Sequence, residues 1–200
     1  MHTSISKEEI EKLPLGKFTG EIVIFENPDD LYIVENELKD EKVIGFDTET
    51  KPAFKKGQRN SVALLQLSTS NKAYLIRLNK TGLTTEMLNI LSNPEIKKVG
   101  VGIRDDIKAL QRLVNFEPGG FIEIQDYAKD AGLESFSLKK LGALVMGIRI
   151  SKRQRLSNWE VESYTESQAN YAATDAWAAL HIYTGLCKVF PELYVESLTF

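Results

Sequence analysis

Hydrophobic and polar positions sort most of the chain into short strands and amphipathic helices. Ser6 and Glu9 have capping-box spacing, which predicts a short helix from Lys7 to Leu13 that Pro14 ends. Glu21 to Phe25 reads as a strand. Asn27-Pro28-Asp29-Asp30 then sets a capping amide, a proline and two acids in the order that starts a helix, here running to about Lys39. Val43 to Glu49, Ser61 to Thr69 and Lys72 to Arg77 read as three strands, the last two joined by polar turn residues in hairpin style. Helix, strand and helix follow over Thr84 to Leu91, Lys97 to Val101 and Asp106 to Val114. Phe121 to Ile124 is one more short strand, and the remainder reads as helical. Consecutive strands followed by alternating helices and strands predict a mixed sheet with helices on both faces, an α/β layer architecture.

Two hundred residues, 42% of them hydrophobic, fit one globular domain with a sizeable core. The reading divides the chain into an N-terminal extension, 1–20, and a functional domain, 21–200. The N-terminus lacks a signal-peptide pattern and no run approaches the roughly 18 apolar residues of a membrane span, so a soluble cytoplasmic protein is expected. Cys187 is the single cysteine and only His2 and His181 accompany it, which rules out an internal disulfide and leaves structural zinc without ligands.

A formal charge of −3 argues against nucleic acid until its distribution is considered. Lys139 to Arg155 holds six basic residues and no acid, and Lys51 to Asn60 holds four more without an acid. Taken alone, each run is equally a solvated face.

Candidate chemistry concentrates in three places. Asp47 and Glu49 stand two apart at the end of an apolar strand, so both carboxylates point to one side while Ile44 and Phe46 point to the other. Two acids there repel, and a divalent cation relieves the repulsion; a strand ending in polar turn residues gives the same letters. Tyr171 and Asp175 follow a capping box formed by Thr165 and Gln168 and lie one helical turn apart, beside an apolar stripe rich in alanine that permits close packing on a sheet. Gly100-Val-Gly-Ile-Arg-Asp-Asp106 follows a strand and opens a helix. It lacks the Lys-Ser/Thr of a Walker loop and the full glycine set of a dinucleotide fingerprint.

In this order the three pieces resemble the motifs of the DEDD superfamily of 3′-5′ exonucleases. Tyrosine four residues before the last aspartate resembles its tyrosine subclass, the group of ribonuclease D and of the Werner-type exonuclease domain. Val62-Ala-Leu-Leu-Gln-Leu67, Ser137-Leu-Lys-Lys-Leu141 and Ser151 to Trp159 carry the likeness further, over roughly Val43 to Cys187. Lys51-Pro52 departs from it, since an aromatic residue precedes the proline in the Werner-type domain.

The resemblance implies a ribonuclease H-like fold with a five-stranded mixed sheet, and hydrolysis of the 3′-terminal phosphodiester of DNA or RNA to 5′-mononucleotides. It implies two Mg²⁺ or Mn²⁺ ions: Asp47 bridging them, Glu49 and Asp175 completing the first, Asp106 holding the second. Tyr171 would orient the attacking water. Thr48, Lys51, Arg59, Lys139, Arg153 and Arg155 are the candidate nucleic-acid contacts, and Trp159 or Phe54 the candidate stacking platforms, although Trp159 reads equally as core packing. A chain of this length is expected to leave no room for accessory domains, so substrate handling is expected from this domain itself or from a partner such as a helicase or another nucleic-acid-processing protein. Two rivals remain at this point: a binding scaffold without catalysis, and a haloacid-dehalogenase-type phosphatase with Asp47 as nucleophile.

Overall fold

The computed structural model describes residues 2–52 and 60–191. Helix α1 (Lys7–Lys12) carries the expected capping box from Ser6 and Glu9, and strand β1 (Leu15–Gly16) follows. Strand β2 (Glu21–Phe25) leads through a proline-opened 3₁₀ turn into α2 (Leu31–Leu38). Strands β3 (Val43–Thr50), β4 (Val62–Ser68) and β5 (Lys72–Ile76) come next, then α3 (Leu78–Thr81), α4 (Thr85–Ser92), β6 (Lys97–Gly100), α5 (Arg104–Gln111) and β7 (Phe121–Glu123). Helices α6 (Ile124–Asp130) and α7 (Leu138–Leu141), strand β8 (Arg149–Ile150) and the long helix α8 (Glu166–Val189) complete the order.

The main sheet runs β2-β5-β4-β3-β6-β7. Its six strands exceed by one the five that the resemblance implied, although all six had been legible one by one in the sequence. β3 and β5 pair antiparallel with β4, while the outer pairings are parallel, so the sheet is mixed as expected. Every residue of β4 is buried, which explains its unbroken apolar run: a central strand covered on both faces does not alternate. One face packs Ile44, Phe46 and Leu67 against α2 and α4; the other carries α8. Lys98 on β6 is fully buried, and its Nζ donates to the carbonyls of Ile90 at 2.9 Å and Asn93 at 2.7 Å, closing the end of α4.

Helix α8 comes closest to the sheet at Gly45, where an added Cβ would lie 1.9 Å from the Ala176 carbonyl oxygen. Only glycine on the strand allows that approach. Gly45, Asp47 and Glu49 share a face by strand alternation, so the contact that seats α8 also sets Asp175 against the two acids of β3.

Residues after β7 are less helical than the pattern implied. β8 pairs parallel with β1, joining Leu15 to Arg149 and Gly16 to Ile150, and an irregular stretch from Ser151 leads to α8. A two-residue ladder formed with the chain's own beginning has no periodic signature to read. The first residues are fastened to the body: Phe18 is buried, its N–H donates to Thr174 Oγ1 at 3.0 Å, and Glu134 N–H donates to the Thr3 carbonyl at 2.8 Å. No helix among the described residues is long and apolar enough to cross a membrane.

Gly45→Ala is expected to lower the unfolding free energy by about 1–3 kcal/mol, the usual range for overpacking. Urea denaturation checks it, and an unmoved midpoint would contradict the close packing of α8 on β3.

Candidate active site

Strand β3 delivers Asp47 and Glu49 to the α8 face, α8 delivers Tyr171 and Asp175, and the first turn of α5 delivers Asp106. The four carboxylates lie near enough to act on one another. Burial, with the charges of Asp175 and Asp106 added, drives the Asp47 carboxyl well above its usual range, although the Thr48 N–H donates to Asp47 Oδ1 at 2.9 Å. Glu49 is pushed up to about 9 by burial and then by Asp47, Asp175 and Asp106. Asp175 is pushed up to about 7 by burial, against the opposing effects of the Tyr171 hydroxyl and Lys152. Asp106 is raised by burial, while the Thr48 hydroxyl donates to its Oδ1 at 2.5 Å and opposes the rise. Burial and the neighbouring Asp175 and Glu49 hold the Tyr171 phenol firmly in its protonated form.

Of the two aspartates opening α5, Asp106 is the one turned inward; Asp105 is exposed and pairs with Lys108 at 3.7 Å. The glycine loop before them is not available to a phosphate. Its Gly102 and Ile103 N–H groups each donate at 2.8 Å to the carboxylate of Glu123, a partner that sequence spacing did not reveal.

The donor set suits a hard divalent cation: all oxygen, like-charged, and including a buried Asp175 Oδ1 that has no hydrogen-bond partner. Among the described residues no three His, Cys, Asp or Glu side chains are closed into a ready-made cage, and Asp106 is held by Thr48.

A hollow of about 220 Å³ opens over Asp47, Glu49, Tyr171 and Asp175. Thr48, Lys139 and Arg155 line it, together with Lys152, which the sequence reading placed in a basic run but did not single out. Arg153 faces an adjoining hollow of about 340 Å³ that shares Ser151, Tyr171 and Asp175 with the first. Lys139 also pairs with Glu11 at 3.4 Å, and Lys51 pairs with Glu160 at 3.0 Å outside the hollow. Arg59 and Phe54 lie outside the described residues.

Trp159 is not a stacking platform. Its ring is fully buried, edge-on to Tyr164 at 5.5 Å and tilted against Tyr171 at 6.1 Å, where no base can reach it. It belongs instead to the wall behind Glu49, whose charged form its indole N–H favours.

Comparison with known proteins agrees with this geometry. A family profile described as 3′-5′ exonuclease matches residues 22–190. The bifunctional 3′-5′ exonuclease/ATP-dependent helicase WRN of Mus musculus is 38% identical over 198 residues, covering 94% of this chain and 14% of that protein. The chain spans between 14% and 53% of the length of five such curated relatives. Among solved structures, the Aedes aegypti Nibbler EXO domain superposes with a TM-score of 0.77 at 23% identity, over 86% of this chain and 90% of that one. Trypanosoma brucei RNase D in complex with RNA U12 superposes at 0.74 with 18% identity, over 84% and 63%. At those identities the likeness speaks for the fold, while the profile and the mouse relative speak for descent. The chain belongs to the 3′-5′ exonuclease family.

Proposed function

We propose that this domain removes nucleotides from the 3′ end of DNA or RNA by hydrolysing the terminal phosphodiester, and that it is of the tyrosine subclass. One observation carries the reading: carboxylates of β3 and α8 meet under an open hollow, and Asp106 of α5 lies near enough to raise the proton affinity of Asp47 and Glu49 with them. Asp47, Glu49, Asp106 and Asp175 are the residues that would hold two divalent cations, Mg²⁺ or Mn²⁺. When bound, such ions neutralise charge on the scissile phosphate and lower the pKa of the attacking water.

Tyr171 is held protonated, so it serves as a hydrogen-bonding group that orients water and not as the base that takes its proton. Asp175, one turn along the same helix, lies near enough for its carboxyl to sense that hydroxyl. Lys139, Lys152 and Arg155 line the hollow and contact backbone phosphates, which gives affinity without sequence preference. The leaving group is the 3′ oxygen of the penultimate nucleotide and the product a 5′-mononucleotide. The likeness to a bifunctional exonuclease/helicase supports a helicase or other nucleic-acid-processing partner. The phosphatase alternative leaves Tyr171 and Asp175 without chemistry.

Mg²⁺ or Mn²⁺ is expected to let the protein shorten a 5′-labelled oligonucleotide stepwise, while EDTA or Asp47→Asn lowers the rate about a hundredfold or more. Retained binding with no hydrolysis under either metal would instead favour a scaffold. Tyr171→Phe is expected to lower kcat by about a hundredfold with little change in KM. An equal loss in binding would contradict the assigned role.

Metal-free stability should fall as pH rises from about 5 to 9. Glu49 and Asp175 bind protons more tightly folded, at about 9 and about 7, than their ordinary values of 4.5 and 3.8. The stability they contribute is therefore complete below the ordinary values and lost as pH climbs through the folded ones. Thermal melts across this range, with and without Mg²⁺, check it, and added metal should flatten the fall.

A further inference from the structure

The indole N–H of Trp159 is fully buried and lies near enough to Glu49 to act on its carboxyl, yet falls short of full hydrogen-bond geometry. Polar hydrogens left in that condition are rare in folded proteins and point to a partner in some working state. Glu49 is the acceptor at hand. Trp159 is a positioned group, because a chain of contacts leads from it to a second fully buried residue, Arg77, at the end of β5.

Arg77 donates to the Glu162 carbonyl at 2.7 Å and to the Val161 carbonyl, and pairs with Glu26 at 2.5 Å. Its guanidinium lies 4.3 Å from the centre of the Tyr164 ring. The Tyr164 hydroxyl donates to the Trp159 carbonyl at 2.9 Å, and its ring meets the indole edge-on at 5.5 Å. The segment that bears Trp159 is thus fixed from the far edge of the active-site wall. Nearer α8, the Gln168 amide donates to the Asn158 carbonyl at 3.4 Å.

We propose that Trp159 is a positioning residue for the reaction: in the cleavage-competent state its N–H donates to the Glu49 carboxylate, and the Arg77–Tyr164 stack holds it in place to do so. This rests on the reading of Glu49 as part of the hydrolytic site. A carboxylate with no fixed donor behind it can rotate; a donor held in place selects one orientation. Arg77 acts only through the aromatic pair, since its own contacts end on the 161–162 backbone, Glu26 and Tyr164.

Three measurements test it. Trp159→Phe keeps an aromatic ring but deletes the N–H with the five-membered half of the indole; kcat on a single-stranded oligonucleotide should fall about tenfold while KM stays within about twofold. Unchanged kcat would overturn the proposal. Arg77→Lys, which keeps the charge but loses the fork, should lower kcat in the natural background and add less than about twofold in the Trp159→Phe background. Losses that multiply in full would show an independent structural effect and overturn the link. Should Arg77→Lys fail to fold, Tyr164→Phe removes the hydroxyl bond to the Trp159 carbonyl and takes its place in the same cycle.

The third readout does not use activity. Trp159 and Trp177 are the only tryptophans, so Trp177→Phe leaves one reporting indole. Mg²⁺ titration should shift its emission, and Arg77→Lys should abolish the shift; no shift on metal addition would count against the contact with Glu49. If the unaltered protein shows this shift but cuts no oligonucleotide, the proposed function fails while the Trp159–Glu49 contact stands.

Discussion

The cost of holding like-charged, half-buried and buried carboxylates together is the constraint around which this molecule is organised. Asp47, Glu49, Asp106 and Asp175 come from a central strand and two helices, and each is held where its charged form is disfavoured by burial. Such a cluster is costly for a fold whose net stability amounts to only about 5–15 kcal/mol. Its persistence is understandable if opposite charge enters the site during work. Lys152 already supplies a little of that charge from the hollow's rim.

Packing supplies the force that keeps the acids together. The seat of α8 on β3 at Gly45 brings two backbones into contact, and the alanines of α8 fill the remaining space without pushing the helix away. Asp175 is one residue from Ala176, whose carbonyl lies over Gly45, so the helix cannot rise without separating its aspartate from the strand's acids. Fold and chemistry share this contact, and for that reason a small residue matters as much as a charged one.

Much of this was legible in the letters. The six main strands and the caps at Ser6 and Thr165 carry strong local signals, and two acids on one strand face or two groups one helical turn apart follow from periodicity alone. What stayed hidden depends on contacts between distant segments. The seat at Gly45 needs knowledge of which helix crosses which strand. Glu123 serving the Gly102 loop, the β1–β8 ladder and the buried side of Trp159 are likewise properties of the assembled chain. Trp159 stayed open between stacking and core packing because a tryptophan near basic residues has the same composition whether it faces solvent or the core; the structure places it in the core.

The parallel bridge between Leu15–Gly16 and Arg149–Ile150 has a consequence for the segment that follows it. Ser151, Lys152 and Arg155 begin where that bridge ends, so the rim of the hollow is tethered at its root before any polymer arrives. A tethered rim forfeits less conformational entropy on capture than a loose one, and under the proposed function its cations would meet phosphates as a preorganised set. The opening residues of the chain, distant in sequence from every acid of the site, would thereby share in setting how tightly the proposed substrate end is gripped.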